Sequence, residues 1–149
     1  MTSTPFAKAC PVIDSLVVDA NPLLSALLGG QAREVLFSGK ITCVSSQHTL
    51  FEVEKYLPHV AQRIGRNELD LWREFQLLPV IAVQPREYDS ELPRATKLIG
   101  QRDPKDVHVL ALALRLTLPI WTDDRDFEGL PDVSVHKTAD LLTLIAART

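Results

Sequence analysis

"LVVDANPLLSALL", residues 16–28, sets a short apolar run against an aspartate and then changes period. Leu16, Val17 and Val18 are consecutive apolar positions, mostly β-branched, which is the pattern of a strand buried on both faces. Asp19 stands at the C-terminal end of that strand. Pro22 then falls in the first turn of a helix, where a missing N–H is harmless, and Gly29-Gly30 supplies the stop. Strand, acid and helix together make one β–α unit. Whether the unit repeats decides the fold.

It does repeat. "ITCVSS" (41–46) reads as a second strand, with Ser45 or Ser46 placed to cap the helix "QHTLFEVEKYL" (47–57). Pro58 is expected to break or kink that helix, and "VAQRIGRNELDLWREFQLL" (60–78) continues in helical character. "PVIAVQP" (79–85) is a third short strand between prolines, and "YDSELPRATKLIGQ" (88–101) a helix with an early Pro93. The clearest helix is "DPKDVHVLALALRL" (103–116): Asp103 is a good N-cap, Pro104 takes the first helical position and Asp106 the first turn. Val107, Leu110, Ala111 and Leu114 follow at the spacing of a core-facing stripe. "LPIWTDD" (118–124) reads as a fourth strand, "VSVHK" (133–137) as a fifth, and "TADLLTLIAAR" (138–148) as a closing helix. Alternation throughout implies one α/β domain over 1–149, with a parallel sheet of four to five strands and helices on both faces.

Composition narrows the function classes. With 16 basic and 19 acidic residues the net charge is −3, which argues against general polyanion binding, whose footprint is a basic excess. No apolar run approaches the roughly 20 residues that span a bilayer, so no membrane segment is expected. The opening "MTSTPFAKACPVIDSLVVDAN" lacks the charged start, long apolar stretch and small-residue cleavage site of a secretory signal, and the reading is a cytoplasmic protein. Cys10 and Cys43 lie far apart and outside any metal-ligand spacing, so both read as reduced packing cysteines.

The alternation gives the acids a meaning, because ligands of parallel sheets bind beyond the carboxyl ends of the strands. Asp19 follows the first strand; Asp123, Asp124 and Asp126 follow the fourth; Asp103 and Asp106 open one helix, and Glu52 and Glu54 lie early in another. Carboxylates forced together must stay solvated, take up protons or bind a cation. Oxygen-only donors suit a hard divalent ion such as Mg²⁺, which supports phosphodiester hydrolysis. Each acid also has a plainer explanation. Asp103 reads as a helix cap, Asp106 complements a helix dipole, Asp19 caps the helix near Pro22, and the others are solvated turn or surface residues. These explanations leave unexplained why acids recur at the same end of successive units.

At this point the chain resembles the PIN-domain ribonucleases. "LVVDANPLLSALL" looks like the family's opening motif, "TLFEVEKYL" its second, "DPKDVHVLALAL" its third and "LPIWTDDRDF" its fourth, in family order from Leu16 to Phe127. The resemblance implies a PIN-like α/β/α sandwich and a Mg²⁺- or Mn²⁺-dependent endoribonuclease. By position, Asp19, Glu52, Asp106 and Asp124 would be the catalytic metal-binding acids and Asp126 an auxiliary one. Asn21 and Thr122 would orient carboxylates through hydrogen bonds. Many small bacterial members are VapC-type toxins, so an antitoxin partner and a homodimer are further expectations, with RNA as substrate.

Two assignments stay open. On a helical wheel Leu50, Val53 and Leu57 form one stripe, bordered by Glu54, while Glu52 points away; only motif register favours Glu52. "DDRD" (123–126) likewise leaves Asp123, Asp124 and Asp126 in competition, with Asp124 preferred. No substrate-binding residue is assigned; Arg94, Lys97, Arg102, Lys105 and Arg125, near the third and fourth motifs, could steer RNA, but the favoured reading is ordinary solvated charges. His48, His59, His108 and His136 lack ligand spacing and read as surface or packing residues. The competing functions are a non-catalytic PIN-like module binding RNA or protein, whose hallmark is missing acids, and a phosphoacceptor or aspartyl phosphatase. "DAN" lacks the second aspartate that the phosphatase's Asp-x-Asp requires.

Overall fold

Leu16, Val17 and Val18 are all fully buried, and their place in the sheet explains why. In the computed structural model, which describes residues 13–148, β1 (Ser15–Val18) is the central strand of a five-stranded sheet of order β3-β2-β1-β4-β5. Its neighbours are β2 (Thr42–Ser46) and β4 (Ile120–Trp121), and the edges are β3 (Val80–Val83) and β5 (Val135–His136). Every pairing is parallel. Parallel neighbours need crossover connections, and the crossing helices cover both faces. The result is the α/β/α sandwich expected from the alternation.

Side chains alternate across the pleat, so one strand feeds two cores. Leu16 and Val18 pack into a layer with α1 (Ala20–Leu27), α2 (Ala32–Leu36), α3 (Gln47–Ile64), α4 (Glu68–Leu77) and α7 (Thr138–Ala147). Val17 faces the other layer, with α5 (Leu92–Ile99) and α6 (Val107–Leu116). Helix α6 buries more than one stripe, since Val109, Leu110, Ala111, Leu112 and Ala113 are all at most 1% exposed. It is enclosed by β1 and β2 on one side and by α5 and a preceding 3₁₀ turn (Asp89–Glu91) on the other.

Three features depart from the sequence reading. Pro58 does not end α3, which runs on to Ile64. Val53, Leu57, Val60 and Ala61 form one buried face on both sides of the proline, and Pro58 lies on the exposed side with Glu54, whose carbonyl loses its N–H partner to a place water reaches. The chain instead breaks at Gly65, which takes the left-handed φ of 69°. Asn67 then caps α4, its side chain accepting from Leu69 N at 2.9 Å and Asp70 N at 3.1 Å. The short helix α2 was not anticipated, since its five residues are too few to show a period.

Cys43 is free and buried, its thiol pushed up to about 12 by burial, consistent with a packing role. Cys10 and most of the stretch read for a signal lie outside the described residues. No described helix is long and apolar enough to cross a membrane. Leu110, fully buried in α6, should make truncation costly. Leu110→Ala is expected to lower unfolding free energy by about 2–5 kcal/mol in urea titration, and a loss under about 1 kcal/mol would contradict this packing.

Candidate active site at the strand tips

The β1–β4 pairing sets Val18 beside Trp121, and Asp19 N donates to Trp121 O at 3.0 Å. The next residue on each strand is therefore polar and adjacent: Asp19 and Thr122. Asp19 is 5% exposed and caps α1, its Oδ1 accepting from Ala20 N at 2.8 Å. Its Oδ2 accepts from Thr122 Oγ1 at 2.9 Å. That hydroxyl in turn accepts from Asp124 N at 3.1 Å, so one buried threonine ties the first acid to the loop carrying the last ones. Burial pushes the Asp19 carboxyl above its ordinary range; the Ala20 and Thr122 bonds oppose this, and nearby Asp124 and Asp126 add to it.

Asp106 ends the 3₁₀ turn Pro104–Asp106 that opens α6. It is 8% exposed, and its buried Oδ2 has no hydrogen-bond partner. Burial first, then the charge of Asp19, a side-chain hydrogen bond with Asp103 and the charges of Asp103 and Asp126, push Asp106 up to about 8. Asp103 caps the same turn, accepting from Lys105 N at 3.1 Å. It also approaches Asp106 and Asp126 so closely that one ligand oxygen from each lies within 4.8 Å of the others. Phe127, 1% exposed, anchors the loop behind Asp126.

One cleft is lined by Asp19, Glu52, Asp103, Asp106, Asp124 and Asp126. Glu54 lies elsewhere, beside Phe51 and Lys55. Helix α3 presents Glu52 to the cleft although its core stripe turns away, because the cleft lies beyond the sheet rather than under the helix. Asp123 is drawn off in another direction: it accepts from Thr138 N at 2.9 Å and Thr138 Oγ1 at 2.7 Å, at the start of α7. Trp121 Nε1 donates to the same hydroxyl at 2.9 Å, which fixes this side of the loop. Asn21, expected to orient a carboxylate, accepts instead from the Asp123 backbone N–H at 3.5 Å.

The sequence reading favoured a cap over a ligand for Asp103, which the structure also sets on the cleft wall, and it took His48 for a surface or packing residue. His48, one helical turn before Glu52, lines the cleft with Nε2 4.0 Å from the Glu52 carboxylate. Its ring stacks on that of His108 at 4.0 Å and 7°, and Nδ1 of His108 bonds the hydroxyl of fully buried Tyr88 at 2.7 Å. Burial, with His48 adding, holds His108 below its ordinary value and so uncharged. The helices bearing Glu52 and Asp106 are thereby braced against each other.

Charge is uncompensated here. Among the described residues, no lysine or arginine forms a salt bridge with any of the cleft's five aspartates. Arg94 is engaged by Asp132 and Glu91, and Arg102 donates to the backbone carbonyl of Asp126. A cluster of carboxylates with no lysine or arginine salt-bridged to its aspartates, containing an unpartnered buried oxygen, fits a hard divalent ion.

Comparison with known proteins follows the geometry. Residues 17–143 match the family described as PIN domain. No curated protein matches. A crystal structure of VapBC2 from Rickettsia felis bound to a DNA fragment from their promoter is similar, with TM-score 0.61 and 12% identity, covering 83% of this chain and 98% of that one. A toxin–antitoxin complex from Klebsiella pneumoniae gives TM-score 0.60 and 19% identity, covering 83% and 97%. DNA-bound VapBC from Salmonella typhimurium gives 0.61 and 18%, covering 85% and 99%. At these identities the likeness is one of fold.

The raised Asp106 makes stability depend on pH. Its folded value of about 8 lies above the ordinary 3.8, so between the two the unfolded chain ionises while the folded one keeps its proton. Unfolding releases a proton across that window, and rising pH destabilises the metal-free protein until about pH 8. Urea midpoints of chelator-treated protein should fall from about pH 5 to about pH 8, and Asp106→Asn should flatten the trend. An equally steep trend in the variant would contradict the assignment.

Proposed function

The chain belongs to the PIN-domain family, and on that premise we propose that it is a divalent-metal-dependent endoribonuclease hydrolysing RNA phosphodiester bonds. The observation that carries the reading is the convergence of six carboxylates on one cleft, with no lysine or arginine among the described residues in a salt bridge to its aspartates. A non-catalytic module of the same fold has no need to keep them together, since their repulsion costs stability.

In this reading Asp19, Glu52, Asp106 and Asp124 hold the cation, with Asp126 beside them. Bound Mg²⁺ or Mn²⁺ supplies positive charge at a phosphate oxygen and acidifies a coordinated water. The chain's own groups set the stage for that chemistry. Thr122 Oγ1 and Ala20 N–H fix both oxygens of Asp19, so the carboxylate enters the reaction without having to be oriented. Asp106, whose buried Oδ2 has no hydrogen-bond partner, would hold the cation as a carboxylate. Lys105, on the cleft wall, favours an approaching phosphate.

Of the similar structures, one is a toxin–antitoxin complex and two are DNA-bound VapBC. By that likeness we assign this chain, as one domain over 1–149, the role of a VapC-like toxin acting in the cytoplasm. A protein antitoxin is its partner, and the active form is a homodimer.

Cleavage of RNA by purified protein with Mg²⁺ or Mn²⁺ tests the reading. Asp19→Asn and Asp106→Asn should each lower kcat by more than the roughly 10–100-fold typical of losing an outer partner of a metal ligand, and a chelator should abolish cleavage. Unchanged activity in both variants would overturn the assignment.

A further inference from the structure

Asp103 opens the third motif but is not the acid assigned there as a ligand, and its capping bond to Lys105 N explains its presence without further function. That bond engages only Oδ1, and the residue faces the same cleft as Asp106 and Asp126. We propose that Asp103 is itself a metal-binding carboxylate, holding the cation together with Asp106 and Asp126. The proposal rests on the metal-dependent reading above and extends it to an acid no motif assigns.

Three observations carry it. First, one ligand oxygen from each of Asp103, Asp106 and Asp126 lies within 4.8 Å of the other two. Oxygens on opposite sides of a bound ion are about 4–5 Å apart for ions from Mg²⁺ to Ca²⁺, so the three converge with little movement. Second, Asp106 is 8% exposed, and its Oδ2 is buried without a hydrogen-bond partner. A buried polar atom left unpaired is costly, and a cation shared with Asp103 satisfies it. Third, the elements bearing the three acids are tied together. Asp103 N donates to Ile99 O at 2.8 Å, and Arg102 donates to the backbone carbonyl of Asp126. Arg102 thus holds the Asp126 loop against the Asp103 turn while leaving the carboxylates free. The chain uses an arginine to bring acids together without neutralising them.

A cap and a ligand make separable demands. A cap needs one acceptor oxygen, which asparagine supplies as well as aspartate does. A hard cation favours the carboxylate. Asp103→Asn therefore keeps the helix start and removes the ligand.

The test is Mn²⁺ binding to the metal-free full chain, followed by electron paramagnetic resonance of free Mn²⁺, with thermal unfolding as the check on the fold. Asp103→Asn is expected to weaken Mn²⁺ binding about tenfold or more at an unchanged melting temperature without metal. Glu54→Gln, which removes an acid outside the cleft, measures the effect of net charge alone and should change affinity less than about twofold. If Asp103→Asn binds Mn²⁺ as tightly as Glu54→Gln while Asp19→Asn and Asp106→Asn lose binding, Asp103 is only a cap and the wider reading stands. If the wild type binds no Mn²⁺, both fall together. Should Asp103→Asn lower the melting temperature, Asp103→Ser, which also caps, must show the same loss of affinity; retained affinity there overturns the proposal.

Discussion

The parallel pairing of β1 with β4 is the constraint from which the site follows. It fixes Val18 beside Trp121 and so leaves Asp19 and Thr122 as adjacent residues where the sheet ends. Asp19 is the N-cap of α1, Asp106 immediately precedes α6, and the chain beyond β4 turns through Asp124 and Asp126. All these positions line one cleft at the carboxyl end of the parallel sheet. The topology that buries the apolar strands also drives acids together. A single fold decision settles both.

Bringing them together is unfavourable in isolation, and the surrounding structure is built to hold it. Asp19 gains two hydrogen bonds for its two oxygens, whereas Asp106 retains an oxygen with none. The difference divides their chemistry: both oxygens of one carboxylate are held by the protein, and the other keeps a buried oxygen without a partner. The frame around them is stiff. Asp123 and Trp121 meet on the Thr138 hydroxyl, Phe127 plugs the loop, and the His48–His108 stack joins α3 to α6 and ends at buried Tyr88. Rigid elements of this kind keep repelling groups from moving apart.

What the sequence revealed and what it hid follow from the range of the interactions involved. Strands and most helices were legible because their signals are local: apolar runs, caps, the period of α6. The break before α4 was misplaced to Pro58, because local propensity penalises a proline that a continuous buried face tolerates. The wheel set Glu54 beside the core stripe and Glu52 away from it, because it measures direction toward the core and not toward a cleft beyond the sheet edge. Asp123 looked like its neighbours until its partner, Thr138, came into view from 15 residues away. Asp103 was hidden differently: a sufficient local explanation concealed a distant one. The His48–His108 brace links residues 60 positions apart in the chain (48 to 108), beyond any spacing pattern.

The central claim is that the cleft's carboxylates exchange protons for a divalent cation. Calorimetry of Mn²⁺ binding in buffers of different ionisation enthalpy measures that exchange directly. With Asp106 held up to about 8 by burial and its acidic neighbours, binding at about pH 7 should release close to one proton per ion, and the release should fade above about pH 9. Mn²⁺ that binds without releasing a proton at about pH 7, or fails to bind, would contradict the account.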